Sequence, residues 1–333
     1  MAGRRLFGRG EGAVCSRMRI LITGGAGFIG SHVAAAALAA GHEVAVVDDL
    51  STGKRENVPP NVHFYEVDLR HREATERALE DFRPTVVSHQ AAQASVSVSM
   101  RDPALDAEVN LLGGIHLADA CVRLGVERLV FASTGGAIYG EVAENTLAAE
   151  DHGTAPISPY AIHKLAYEQL LDVYARQDGL TPTLLRYANV YGPRQDPHGE
   201  AGVVAIYFDR ALAGLPLTVF GRQKRGDAGC VRDYIYVTDV ARANVAALEG
   251  RVPDRVLNCA TGVGTATEEL AHRVLRLTEE LGRAPVDLRH GPPRAGDVGR
   301  SVLDGRRFAE LLGAPLSLDE GLRRTVDWYE TGG

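Results

Sequence analysis

Tyr160 and Lys164 in the run Ser158-Pro159-Tyr160-Ala161-Ile162-His163-Lys164 are the pair in this chain best suited to moving a proton. Four residues apart on a helix, they would share one face. A phenol with an ordinary pKa near 10 is a poor base at neutral pH, and an ammonium a few ångströms away favours its phenolate form. By itself such a pair is more often packing along an amphipathic helix. Its weight comes from a second set of residues.

That set is Ile20-Leu21-Ile22-Thr23-Gly24-Gly25-Ala26-Gly27-Phe28-Ile29-Gly30, which reads as a strand, a glycine turn and a helix start. Gly24 permits the turn, Gly27 lets backbone approach a pyrophosphate, and Gly30 lets the helix pack close to the strand. The N–H groups of that helix end would face the anion. Glycines at this spacing could serve helix packing alone, but a partner follows. Eighteen residues after Gly30, the apolar run Val44-Ala45-Val46-Val47 ends in Asp48-Asp49, an acid placed to accept from an adenosine ribose. A carboxylate there repels an extra ribose phosphate, which favours NAD, whereas Lys54-Arg55 close by would neutralise one.

These residues need a scaffold, and the periodicity supplies one. Strands are expected at His42–Asp48, Val62–Val67, Thr85–His89, Arg128–Ala132 and Thr181–Tyr187, alternating with helices at Arg72–Phe82, Pro103–Leu124 and from Pro159 to just before Gly179. Ser158 and Pro159 are N-cap and first-turn signals. Such alternation predicts an α/β fold with a doubly wound, Rossmann-like parallel sheet spanning 18–185. Beyond Tyr187 the alternation weakens. Helical patterns at Val203–Ala213, Thr238–Leu248, Thr267–Leu281 and Leu318–Tyr329, with strand-like pieces near Val219, Tyr234 and Val256, predict a smaller substrate-binding α/β lobe over 186–331. Segments around 232–262 are expected to return to the first lobe. The arginine- and glycine-rich stretch 1–17 reads as a disordered extension.

Composition narrows the chemistry. With 36 basic and 43 acidic residues among 333, the net charge is −7 and the basic residues are scattered, so neither a nucleic-acid nor a membrane face is expected. The longest apolar run, Val33 to Ala40, is too short to span a bilayer. Cys15, Cys121, Cys230 and Cys259 form no Cys-x-x-Cys pair, which argues against a metal site or a disulfide framework and fits a reducing cytoplasm.

With the glycine turn, Tyr160 and Lys164, the chain resembles the extended short-chain dehydrogenases/reductases. Leu185-Arg186-Tyr187-Ala188-Asn189-Val190-Tyr191-Gly192-Pro193, Val231-Arg232-Asp233-Tyr234-Ile235-Tyr236 and Pro293-Arg294-Ala295-Gly296-Asp297 make it most similar to the nucleotide-sugar epimerases and dehydratases, from Met18 to about Tyr329. The resemblance implies reversible inversion at C4 of a UDP-hexose with bound NAD. It assigns Gly24, Gly27, Phe28, Ile29 and Gly30 to the pyrophosphate and Asp48, Asp49, Ser51, Thr52 and Gly53 to the adenosine ribose. Asp68 and Leu69 would frame the adenine. Gln90, Ala91, Ala92, Gln93, Asn110, Ser133 and Tyr187 would line the nicotinamide side with Tyr160 and Lys164. Gln93, Thr134, Tyr160, Asn189, Val203, Arg232, Arg294, Asp297 and Ser301 would meet the UDP-sugar.

The chain departs from the family pattern in two places. Ser133-Thr134-Gly135-Gly136-Ala137-Ile138-Tyr139-Gly140 is one residue longer than usual, so Ser133 and Thr134 compete for the catalytic hydroxyl, and Thr134 is preferred. At Glu200-Ala201-Gly202-Val203 the usual asparagine is missing, leaving that contact to backbone. Gly135-Gly136 stands where a 4,6-dehydratase would carry Asp-Glu, and Asp196 where a uronate-specific relative would carry arginine. A catalytically silent nucleotide sensor would be expected to lack Tyr160 and Lys164. The family also implies a homodimer through the helices at Pro103 and Pro159, which carry Leu111, Leu112, Ile115, Leu117, Leu165, Leu170, Leu171 and Val173.

Overall fold

Seven strands lie parallel in one sheet: β1 (Arg19–Thr23), β2 (Glu43–Asp48), β3 (His63–Glu66), β4 (Val86–His89), β5 (Arg128–Thr134), β6 (Thr181–Tyr187) and β7 (Val256–Cys259), in the spatial order β7-β6-β5-β4-β1-β2-β3. The computed structural model describes residues 17–198, 202–294 and 296–331. The expected extension, apart from Arg17, and Glu200-Ala201 lie outside them. Strand order reverses between β1 and β4, and in a doubly wound sheet the crevice for a ligand opens at the carboxyl ends of such a pair. The inner strands β1, β2, β4 and β5 are buried along their length without alternation because both faces are covered. Helices Phe28–Ala39 and Val237–Leu248 cover one face through Val33, Ala37, Val240 and Ala243; helices Arg72–Phe82, Gly113–Arg123 and Pro159–Asp178 cover the other through Leu79, Leu117, Tyr167 and Leu171.

The helix that carries Tyr160 and Lys164 is bounded by local chemistry. Ser158 Oγ accepts from the Ala161 N–H at 3.3 Å, Pro159 occupies the first turn, and Gly179 ends the helix at φ 75°. The helix expected over Pro103–Leu124 is instead three pieces, Pro103–Ala107, a π turn at Glu108–Leu112, and Gly113–Arg123. The extra residue in the π turn swings Asn110 into the protein, where it is 2% exposed. Gly114 then lies so close to Tyr167 that a Cβ would stand 2.7 Å from the ring.

The second lobe holds a small sheet in which Val231–Tyr236 pairs with Gly264–Ala266, Arg300–Ser301 and Asn189–Tyr191, and a parallel pair Leu217–Phe220 with Leu288–Gly291. Helices Val203–Leu212, Thr267–Glu280 and Leu318–Glu330 enclose its core around Phe208, Leu270 and Leu322. The pieces that the pattern does not reveal, such as Arg300–Ser301 and the helices Val96–Arg101 and Arg306–Leu312, are too short to establish a period. Helix Val237–Leu248 and β7 rejoin the first lobe, whereas Val231–Tyr236 stays in the second. Among the described residues, no helix is long and apolar enough to cross a membrane, and no cluster of three His, Cys, Asp or Glu could hold a metal ion.

Candidate active site

A cleft of about 1000 Å³, counting its open mouth, runs across the carboxyl ends of the strands. At one end Gly24 takes φ 67°, and a Cβ there would stand 2.6 Å from the Ala91 nitrogen; a Cβ on Gly30 would overlap the Gly24 carbonyl oxygen. Both positions therefore exclude any larger residue. Bare backbone at the start of helix Phe28–Ala39 faces the cleft, which is the arrangement a pyrophosphate needs.

At the tip of β2, Asp48 Oδ2 accepts from the Ala26 N–H and Oδ1 from the Leu50 N–H, both at 2.9 Å. Burial pushes the Asp48 carboxyl up, while these backbone donors pull it down. Asp48 thus ties the glycine loop to the turn that follows β2. Asp49 Oδ1 accepts from the Ser51 N–H at 2.9 Å and its hydroxyl at 2.6 Å, shaping the next turn. Neither Lys54 nor Arg55 lines the cleft; the Arg55 guanidinium lies 4.4 Å over the Phe64 ring. The Arg55 guanidinium is therefore held against Phe64 rather than over the cleft.

Gly27, Phe28, Ile29, Ser51, Thr52, Gly53, Asp68, Leu69, Gln90, Ala91, Ala92, Ser133, Tyr160, Lys164 and Tyr187 line the same cleft. Gln93 and Asn110 do not. The Gln93 Nε2 donates to Asp106 Oδ1 at 2.6 Å, and the Asn110 amide exchanges hydrogen bonds with the Gln93 backbone at 3.1 and 2.9 Å. Arg70, unforeseen from the sequence, lines the cleft beside Leu69 and grips Asp68 through Nε and Nη2. Its place directly after Leu69 is the signal that could have found it.

At the other end Lys164 is buried, its Nζ donating to the Ala132 carbonyl at 3.0 Å and lying 6.0 Å from the Tyr160 ring centre. Burial pulls the ammonium down to about 8, opposed by the carboxylates of Asp106 and Glu168. It is therefore protonated in neutral solution and loses its proton as pH rises through about 8. Ser133 Oγ donates to Glu168 Oε1, so that hydroxyl is engaged. Thr134 makes no side-chain hydrogen bond among the described residues and ends β5 one residue nearer the second lobe. Of the two hydroxyls Thr134 is the free one, whereas Ser133 is the one that lines the cleft.

Glu168 is a second residue that sequence reading missed. Buried one turn after Lys164, it holds Arg186 through Oε1 at 3.1 Å and Oε2 at 2.6 Å, and Arg186 Nη1 donates to Tyr139 Oη at 2.9 Å. Burial works against the Arg186 charge, and Glu168 more than offsets it. An acid on an otherwise packed helix face, spaced i+4 from the lysine, was the available clue.

On the second lobe, Asn189 stands opposite Tyr234 and Ser301 opposite Arg232 along strand Val231–Tyr236. Paired residues, and residues two apart on one strand, share a face, so Asn189, Arg232, Tyr234 and Ser301 do so. Asn189 Oδ1 lies 3.4 Å from where a Cβ on Gly136 would stand, next to the Thr134 turn. Among the described residues, Ser301 Oγ and Tyr234 Oη are buried without a hydrogen-bond partner. Arg294 stacks 3.5 Å over the Phe220 ring, and the Asp297 N–H donates to the Arg294 carbonyl at 3.4 Å. Val203 opens the helix Val203–Leu212.

A glycine turn at the switch point, an acid closing β2 and a tyrosine–lysine pair at the far end of the same cleft define a site of the extended short-chain dehydrogenase/reductase class. Residues 20–260 match the model of the NAD dependent epimerase/dehydratase family, and the chain belongs to that family. It is 41% identical to the UDP-glucose 4-epimerase of Mycolicibacterium smegmatis over 319 residues, covering 94% of this chain and 98% of that one. Among solved structures, it is similar to the Thermus thermophilus UDP-glucose 4-epimerase in complex with NAD, at 55% identity and TM-score 0.90, covering 95% of this chain and all of that one. The Thermotoga maritima UDP-glucose 4-epimerase with UDP-glucose follows at 46% identity and TM-score 0.87, covering 95% and 99%.

Proposed function

We infer that this chain is an NAD-dependent epimerase that reversibly inverts C4 of a UDP-hexose through a 4-keto intermediate. The observation that carries this reading is the placing of Tyr160 and Lys164 at one end of a cleft whose other end is built for a dinucleotide. When bound, NAD supplies the store that takes the C4 hydrogen as hydride and gives it back. The cradle suits it, since Gly24, Gly27 and Gly30 bring bare backbone to the cleft at the uncapped start of helix Phe28–Ala39. Tyr160, as phenolate, accepts the proton of the C4 hydroxyl and returns it after the sugar has turned over. Lys164 favours the phenolate. Thr134 donates to the C4 oxygen. Arg232 and Arg294 hold the diphosphate, so the keto sugar can rotate about it without leaving.

Incubating the purified protein with UDP-galactose, and separately UDP-glucose, and following products by NMR tests the reading. Each should yield the other; a product altered at C6, or none, would count against it. Dehydration is disfavoured by packing, because Leu303 presses on Gly135 where a carboxylate would be required.

Ser301 sets the expected breadth of substrate. Its small buried side chain leaves room beside the sugar's C2 substituent, so UDP-N-acetylglucosamine and UDP-N-acetylgalactosamine should also be turned over. Ser301→Tyr should overpack that space by roughly 1 to 3 kcal/mol, lowering N-acetyl activity about 5- to 150-fold while sparing plain hexoses. Equal losses on both sugar classes would refute it.

The chain is further proposed to act as a homodimer in a reducing cytoplasm. Leu117 and Leu171 are fully buried in the protomer's own core and do not belong to the seam. Leu112 (43% exposed), Ile162 (49%) and Val173 (44%) remain open on the two helices, with Met100 (53%) beside them. Light scattering at micromolar concentration should give twice the chain mass, and Ile162→Arg should shift it toward the monomer.

A further inference from the structure

Asp106 is fully buried, and among the described residues it pairs with no lysine or arginine, only with a histidine. Its Oδ1 accepts from Gln93 Nε2 at 2.6 Å and Asn110 Nδ2 at 3.0 Å, and its Oδ2 from His163 Nδ1 at 2.6 Å. These three donors come from three different elements: the loop after β4, the π turn, and the helix of Tyr160. In that loop Ala92 and Ala94 face the cleft while Gln93, between them, turns away to Asp106. On the helix, His163 directly precedes Lys164. A buried carboxylate keeps its place only while its donors do, so the contacts act as a rigid link.

We propose that Asp106 and His163 are positioning residues, which lock the loop flooring the nicotinamide end of the cleft to the helix that presents Tyr160 and Lys164. The link fixes how far the phenol stands from the carbon whose hydrogen is transferred. Registration of this kind enters turnover rather than binding, since misplacing reacting groups by about 1 Å can cost on the order of 10²-fold. Asp106 also supports the Lys164 charge across the same gap. The proposal rests on Tyr160 and Lys164 being the acid–base pair.

His163→Ala should lower kcat about 10- to 100-fold, with KM for the UDP-sugar within about twofold of wild type. His163→Asn, whose Nδ2 stands where the imidazole Nδ1 stood, should restore most of it. A loosened link also lets the keto sugar escape before the hydrogen returns, so the absorbance band of reduced nicotinamide should build up on the Ala variant during turnover and not on the Asn variant. Gln93→Met cuts the same link at its other end and should reproduce the kcat loss and the band, which decides the matter if His163→Ala does not fold. A kcat within twofold of wild type in a folded variant, a loss that Asn does not rescue, or a rise in KM alone would overturn the proposal. Full activity of Tyr160→Phe would instead remove the acid–base reading beneath it.

Discussion

Tyr160→Phe is expected to lower kcat by about 10² to 10⁴, the range for loss of a positioned acid–base group, while NAD stays bound. The substitution removes one oxygen and leaves the ring that packs near Lys164. Because the grip proposed for the nucleotide, the glycine turn and Asp48, lines the far end of the cleft, its retention should not change. Stopped assays of UDP-galactose conversion, with bound nucleotide measured on the denatured protein, separate the two effects. Activity within a few-fold of wild type would remove Tyr160 from the reaction.

The largest stability effect is expected at Glu168. Glu168→Ala leaves the Arg186 guanidinium buried beside Tyr139 with no counter-charge, and stripping one partner from such a pair costs about 3 to 5 kcal/mol. Urea denaturation should show the loss as a lower midpoint. The double variant Glu168→Leu with Arg186→Met, which removes both charges, should be more stable than the single one. A single-variant loss under about 1 kcal/mol would mean that the pair is not the brace its geometry implies.

The parts of this site that the sequence disclosed are those whose chemistry is written in local spacing. Gly24 is marked by its left-handed turn and Gly30 by its contact with the Gly24 carbonyl within the same loop, Gly27 by its spacing between them, Asp48 by its place at a strand end, and Tyr160 and Lys164 by a helical repeat. What escaped is non-local. Glu168 meets Arg186 and Ser133 only because β5 and β6 pair in one register, with Ser133 opposite Arg186. The π turn escaped because one added residue leaves the apolar pattern of Pro103–Arg123 intact while rotating Asn110 inward. Gln93 and Asn110 were assigned to ligands by likeness alone, and the structure gives the Gln93 amide to Asp106 and the Asn110 amide to Asp106 and the Gln93 backbone. The second lobe's short strands carry no period to read, and its face of Asn189, Arg232, Tyr234 and Ser301 exists only through pairing.

β7 pairs with β6 across some seventy residues of chain, Val256 opposite Leu184, and the intervening segment builds much of the other lobe. The two lobes are therefore interlaced along the chain rather than strung in sequence. Severing the polypeptide after Tyr187 would leave β6 as a bare edge, its row of N–H and C=O groups open to any passing strand. It would also strip one side of the sheet of the helix Val237–Leu248. Pairings this distant carry a high loop-closure cost and slow folding, so during synthesis the nucleotide lobe stays unfinished until most of its companion has emerged.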